Sequence, residues 1–171
     1  MTCASIRWTP FTNQVYNSDS IARGGKCSFK KEKAVVQLDH YVNLTAPGAV
    51  PKDAEDQMVR YVAAHGPISI GINANMMQFY KNGIANPNGH FLTRFMCSPS
   101  GLNHGVIIVG YGETERRTIF GRKKIVPYWI IKNSWSAKYG RQGYYYIARG
   151  SNNCGLANFA SAPIVKKKTH A

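Results

Sequence analysis

His104 stands at the mouth of the apolar run "LNHGVIIVGYG", and a second apolar stretch, "YWIIKNSW", ends in Asn133 with Trp135 two residues further on. A histidine acts as a general base only when something holds its far nitrogen and fixes its tautomer, and an amide oxygen does both. An indole laid over such a pair excludes water and strengthens the hydrogen bond. His104, Asn133 and Trp135 are therefore candidates for base, orienting amide and shield of a site for nucleophilic catalysis. The other histidines, His40, His65, His90 and His170, have no partner pattern around them and read as structural or exposed.

A base of this kind needs a nucleophile. Four cysteines are present, Cys3, Cys27, Cys97 and Cys154, none in a C-x-x-C pair and none with the paired histidines of a zinc site, so no metal is expected. Their even number and wide spacing fit disulfides formed in an oxidising compartment. The glycosylation sequon Asn43-Leu44-Thr45 points the same way.

Rigid elements must position these groups. After an irregular start, alternation at Val36, Leu38, His40 and Val42 predicts a strand. In "PKDAEDQMVRYVAAHGP", Asp53 reads as N-cap, Glu55 and Asp56 as first-turn acids, and Met58, Val59, Val62 and Ala63 as the apolar face. Gly66 and Pro67 end that helix. "ISIGINA" alternates as a strand, "MMQFYKNG" holds a turn of helix, and from His104 onward short β segments with glycine-rich turns predict a partly closed antiparallel sheet or barrel.

At 171 residues and 44% hydrophobic, the chain suits one globular domain, with no apolar run of bilayer-spanning length and no apolar signal-peptide core in "MTCASIRWTPFTNQ". The net charge is +14, and three clusters carry half of the basic residues: Lys30, Lys31 and Lys33; Arg116, Arg117, Arg122, Lys123 and Lys124; and Lys166, Lys167 and Lys168. Attraction to polyanions is one consequence. Without interleaved aromatics or a nucleic-acid-binding motif, solvated loops and a basic tail are the plainer reading.

"LNHGVIIVGYG" and "YWIIKNSWSAKYGRQGYYYIARGSNNCGL" resemble the His and Asn signatures of papain-like cysteine peptidases, cathepsins F and L in particular. The likeness covers residues 22–165, including "GPISIGINANMMQFYKNGIA" and "CGLANFASAPIV". It implies an α+β papain-like fold, mainly the β-rich lobe that carries the base, and cleavage of peptide or protein substrates through an acyl-enzyme, with no cofactor or metal. It also implies a lysosomal or extracellular setting. By resemblance His104 is the general base, Asn133 its orienting amide and Trp135 the shield. Gly71, Leu102 and Phe159 line the main specificity pocket, Cys97 and Cys154 form a disulfide, and Cys27 matches a cysteine whose partner lies in the other lobe.

The resemblance has departures. The nucleophile signature C-G-[SA]-C-[WY], expected about 130–150 residues before the His and Asn, is absent, as is the glutamine of the oxyanion hole. The N-terminal, Cys-bearing helical lobe is therefore expected to be missing. Cys3, followed by "ASIRW", has nothing to lower its pKa and reads as an ordinary thiol. Ser136 stands where glycine is usual, which predicts strain if its φ is positive. The stretch "ETERRTIFGRKKIVP" reads as a long basic surface loop able to tune substrate or partner contacts.

The expected organisation is an irregular segment at 1–21 outside the family likeness, the peptidase portion at 22–165 and a basic tail at 166–171. The expected function is that of a cysteine-type endopeptidase portion without its nucleophile, inactive alone. The alternatives are a non-catalytic binding or decoy fragment and a basic polyanion-binding protein.

Overall fold

The apolar stripe of "PKDAEDQMVRYVAAH" builds helix α1, Pro51–His65. Proline suits a first helical position, where its missing N–H is not needed. Gly66, at φ 98°, ends the helix by donating its N–H to Val62 O at 3.1 Å. Because α1 starts at Pro51, Asp53 is an acid of the first turn rather than its N-cap, and Glu55 is no dipole-facing surface acid. Ala54, Glu55, Met58 and Val62 are the buried face, whereas Ala63 is exposed.

The computed structural model describes residues 38–45, 51–89, 91–117 and 121–165. The expectations for Val36, Cys3, Cys27, His90, His170, the 1–21 segment and the 166–171 tail lie outside them. Tertiary contacts set His40–Ile164 apart as one unit.

The strands are β1 (Leu38–Asn43), β2 (Ile68–Ile72), β3 (His104–Arg117), β4 (Lys123–Lys132), β5 (Tyr144–Ala148) and β6 (Ala160–Val165). A single turn of 3-10 helix at Met77–Phe79 fulfils the helical expectation for that stretch, and a short helix α2 spans Phe91–Met96. The strands form one sheet in the order β1-β6-β2-β3-β4-β5. This order is linear and, among the described residues, no pairing joins β1 to β5, so the antiparallel sheet expected from the strand pattern is present without a hydrogen-bonded closure into a barrel. β2 pairs antiparallel with β3 from Ile68↔Ile108 to Ile72↔His104, and β4 with β5 from Tyr128↔Ala148 to Lys132↔Tyr144.

β3 and β4 pair from Ile107↔Lys132 to Arg117↔Lys123, with a register shift between Ile108 and Gly110. Most of the stretch 113–127 is therefore a two-stranded ribbon, not the loop expected. Cross-strand pairing overrides the polar, charged composition that made it look irregular.

α1 packs across β3. Trp129, Tyr145, Met58, Ile68, Ile72, Met77, Ile108, Ile131, Ile147 and Leu156 are essentially inaccessible and make the core. Burying one such side chain contributes roughly 1.5–3 kcal/mol.

Cys97 and Cys154 are bridged, as the resemblance implied, closing a loop with a sequence separation of 57. Loop-closure entropy at this separation predicts a stabilisation of about 2–4 kcal/mol. A Cys97→Ser/Cys154→Ser double variant is expected to melt roughly 4–15 °C lower by circular dichroism. An unchanged melting temperature would show that the bridge does not constrain the unfolded chain.

Candidate active site

His104 is the first residue of β3 and Asn133 directly follows the last residue of β4. Because the two strands are antiparallel neighbours, the start of one lies beside the end of the other, and both residues reach the same end of the sheet. Asn133 is pinned by its backbone N–H to Gly143 O at 3.0 Å. Its side chain is almost fully buried.

Asn133 Oδ1 lies 2.9 Å from His104 Nε2 and 2.8 Å from the Ser134 backbone N–H. The peptide N–H can only donate, so the atom facing it is the amide oxygen, and an oxygen without hydrogens can only accept from the imidazole. His104 thus carries its proton on Nε2. Nδ1 keeps a free lone pair, which is the basic nitrogen of the site.

Trp135 stacks on the imidazole with ring centroids 5.1 Å apart and an interplanar angle of 28°. Its outer face is exposed, so it lies between the His104–Asn133 bond and solvent.

The sequence reading missed Tyr139, whose ring meets Trp135 edge-on at 5.0 Å and whose hydroxyl donates to Met77 O at 2.9 Å. Burial, reinforced by neighbouring Tyr80 and partly opposed by the Asn133 side chain, pushes this phenol far above its ordinary range and keeps it a neutral donor. Tyr139 thereby ties Trp135 to the Met77–Phe79 turn. The aromatic spacing from Trp135 to Tyr139 was the signal for it.

A set of asparagine amides, also missed, fixes the approach to His104. Asn103 Oδ1 accepts from the Ala74 N–H at 2.8 Å, Asn103 Nδ2 donates to Asn75 Oδ1 at 3.1 Å, and Asn73 Nδ2 donates to Ser98 O at 3.1 Å. The backbone N–H of Asn103 donates to Ile72 O at 3.1 Å, continuing the β2–β3 ladder up to the histidine.

Ser136 has φ 96°, so the strain expected of a non-glycine residue there is present. The conformation costs an L-residue about 1–2 kcal/mol. Ser136→Gly is expected to raise the urea midpoint by the equivalent of about 1 kcal/mol. A fall in the midpoint would mean that the serine's contacts outweigh the strain.

Gly71, Leu102 and Phe159 come together beside the histidine. Gly71 pairs with Gly105, one residue from the Ile72↔His104 pair, and donates its N–H to Phe159 O at 3.1 Å. A Cβ at Gly71 would stand 3.2 Å from Leu102 Cδ1. Two facing glycines leave an open floor between Leu102 and the exposed Phe159 ring. The shelf is apolar.

No cysteine thiol accompanies His104 among the described residues, since Cys97 and Cys154 are bridged to each other. No group of three His, Cys, Asp or Glu side chains able to hold a metal occurs among them either. His65 packs against Tyr61 at 4.6 Å and His40 lies exposed on β1, both away from the Asn133 pairing. Asn43 of the sequon is exposed at the end of β1, and Thr45 Oγ1 accepts from the Ala160 N–H at 3.0 Å.

Comparisons with known proteins point to one family. Residues 7–164 match the papain family cysteine protease family. The chain is 40% identical over 144 residues to cathepsin F of Drosophila melanogaster, covering 84% of this chain and 21% of that protein. It is 39% identical over 139 residues to cathepsin F of Mus musculus, covering 81% and 26%. Among solved structures it resembles digestive procathepsin L 3 of Tenebrio molitor larval midgut, with a TM-score of 0.64 and 33% identity over 84% of this chain and 40% of that one. It also resembles bromelain protease from Ananas comosus in complex with the E64 inhibitor, with a TM-score of 0.53 and 30% identity over 75% and 51%. The chain thus spans only a fifth to a quarter of the two cathepsin F relatives.

Proposed function

This chain belongs to the papain family of cysteine proteases, and from that premise we propose that His104 and Asn133 are the base-bearing half of a Cys-His-Asn peptidase site. The observation that carries the reading is the hydrogen bond between His104 Nε2 and Asn133 Oδ1 beneath Trp135, which leaves Nδ1 as the free basic nitrogen. In this reading Nδ1 takes the proton of a cysteine thiol. The thiolate adds to the scissile carbonyl, the imidazolium returns the proton to the leaving amine, and water hydrolyses the acyl-enzyme. Asn133 lets the ring turn about a fixed axis without losing its tautomer, and Trp135 keeps water from competing for the bond.

The thiol belongs to a C-G-[SA]-C-[WY] segment that these 171 residues do not contain, so the chain by itself forms no acyl-enzyme. The Gly71–Leu102–Phe159 shelf takes an apolar side chain of the substrate, which gains roughly 25 cal/mol for each Å² of apolar surface it buries. The bridged Cys97–Cys154 pair suits a lysosomal or extracellular compartment.

The test supplies the missing half. The 171-residue chain is fused behind a nucleophile-bearing amino-terminal half from a papain-family relative and assayed on peptides with apolar and charged side chains at the shelf position. Thiol-dependent cleavage favouring the apolar series supports the reading. A folded fusion that never acylates with a thiol-directed inhibitor removes it.

A further inference from the structure

The β3–β4 ribbon sets like charges against each other. Arg116 pairs directly with Lys124, and Arg117 with Lys123. Side chains directly opposite in an antiparallel pair stand about 5 Å apart, and like charges there are destabilising. Lys123 is relieved by Glu115, 3.1 Å from its Nζ. Arg116, Arg117 and Lys124 have no carboxylate within ion-pair distance among the described residues. Glu115 is the last acid among these 171 residues.

These three cations line one cavity of about 340 Å³, together with Arg149, Asn86 and Ser151. Arg149 forms its inner wall. Its guanidinium lies 3.5 Å from Glu113 and 4.0 Å from Asp56 and rests over the Tyr111 and Trp129 rings. It is already balanced, whereas the outer three are not. Asn86 and Ser151 add polar side chains of the kind that bind hydroxyl groups.

We propose that this ribbon cavity is a binding site for a sulfated polysaccharide, separate from the His104 site and independent of the peptidase reading. Repeated sulfates along one chain neutralise Arg116, Arg117 and Lys124 together and remove the repulsion that the cross-strand pairing builds in. A nucleic acid of the same charge fits less well, because no aromatic ring lines the cavity and its bases find no stacking surface.

Binding of a fluorescent, fully sulfated heparin octasaccharide to the 171-residue chain tests this by anisotropy across a salt series. An Arg116→Ser/Arg117→Ser/Lys124→Ser variant, with a melting temperature matched to the parent, is expected to bind at least about tenfold more weakly at 150 mM salt, its log–log salt slope shallower by about 2–3. A Lys166→Ser/Lys167→Ser/Lys168→Ser variant is expected to lose about threefold or less. If the tail variant loses the binding and the ribbon variant keeps it, the ribbon is only a solvated charged face and the proposal fails. Should the ribbon triple variant misfold, Lys124→Glu alone replaces it, with unchanged affinity counting against the site. A single-stranded oligonucleotide of equal charge is expected to bind several-fold more weakly; equal or tighter binding overturns the assignment to a polysaccharide.

Discussion

Glu55→Ala is expected to lower the stability of this chain by about 3–5 kcal/mol, enough to unfold a marginal domain. Glu55 is fully buried, and its carboxyl accepts three N–H donors. Oε2 takes the Trp129 indole N–H at 2.7 Å and the Gly150 N–H at 2.9 Å, while Oε1 takes the Asn152 N–H at 2.7 Å. One side chain thus joins α1, β4 and the turn after β5. Truncation leaves the buried Trp129 and Asn152 donors unsatisfied, each costing about 1–3 kcal/mol with incomplete additivity, frees the part-buried Gly150 N–H, and opens a cavity. Glu55→Gln keeps the volume but turns one acceptor oxygen into an amide NH2 that faces donors, so it recovers only part of the loss. Asp56→Ala serves as the control: its contact with Arg149 is long and half-exposed, and such pairs contribute less than about 1 kcal/mol. Urea denaturation followed by tryptophan fluorescence reads all three. A Glu55→Ala midpoint within error of the parent would show that water or relaxation replaces the carboxyl.

Glu55 also shows where the sequence was legible and where it was not. Residues 55, 58, 59 and 62 follow i, i+3, i+4, i+7 spacing, so the glutamate lies on the apolar stripe. Its charge alone suits a first-turn acid, which is how the sequence pattern reads. Trp129, an indole in a strand that becomes fully buried, needed an acceptor for its N–H. Reading the two demands together identifies the pair.

His104, Asn133 and Trp135 were readable because local sequence places each of them at a strand end or just beyond one, and adjacent antiparallel strands bring such ends together. The positive φ of Ser136 followed from a residue type standing where glycine is usual. The asparagine set at 73, 75 and 103 was not readable in this way, since its contacts join loops separated by 25 to 29 residues. The ribbon beyond Glu113 was obscured by its charge. Its pairing continues the register set beyond the shift, from Gly110↔Ile130 onward, and composition carries no trace of that.

In a fusion that supplies the nucleophile, His104→Ala is expected to lower kcat by about 10⁴-fold or more, because thiol activation and leaving-group protonation are lost together. Asn133→Ala leaves the imidazole in place but frees its tautomer and its axis. Misplacement of about 1 Å typically costs about 10²-fold, so an intermediate loss is expected there. The Asn133 effect is also expected to fall mainly on kcat, as the amide stands behind the ring and does not line the apolar shelf. Tyr139→Phe separates support from chemistry. It keeps the ring edge against Trp135 and deletes only the hydroxyl bond to Met77 O, and one such bond contributes about 1 kcal/mol, so its rate is expected to fall by less than about tenfold. The ordering His104 before Asn133 before Tyr139 follows from distance to the reacting nitrogen along one chain of contacts. A fusion that turns over with His104→Ala within tenfold of its parent would place the base elsewhere and dissolve that ordering.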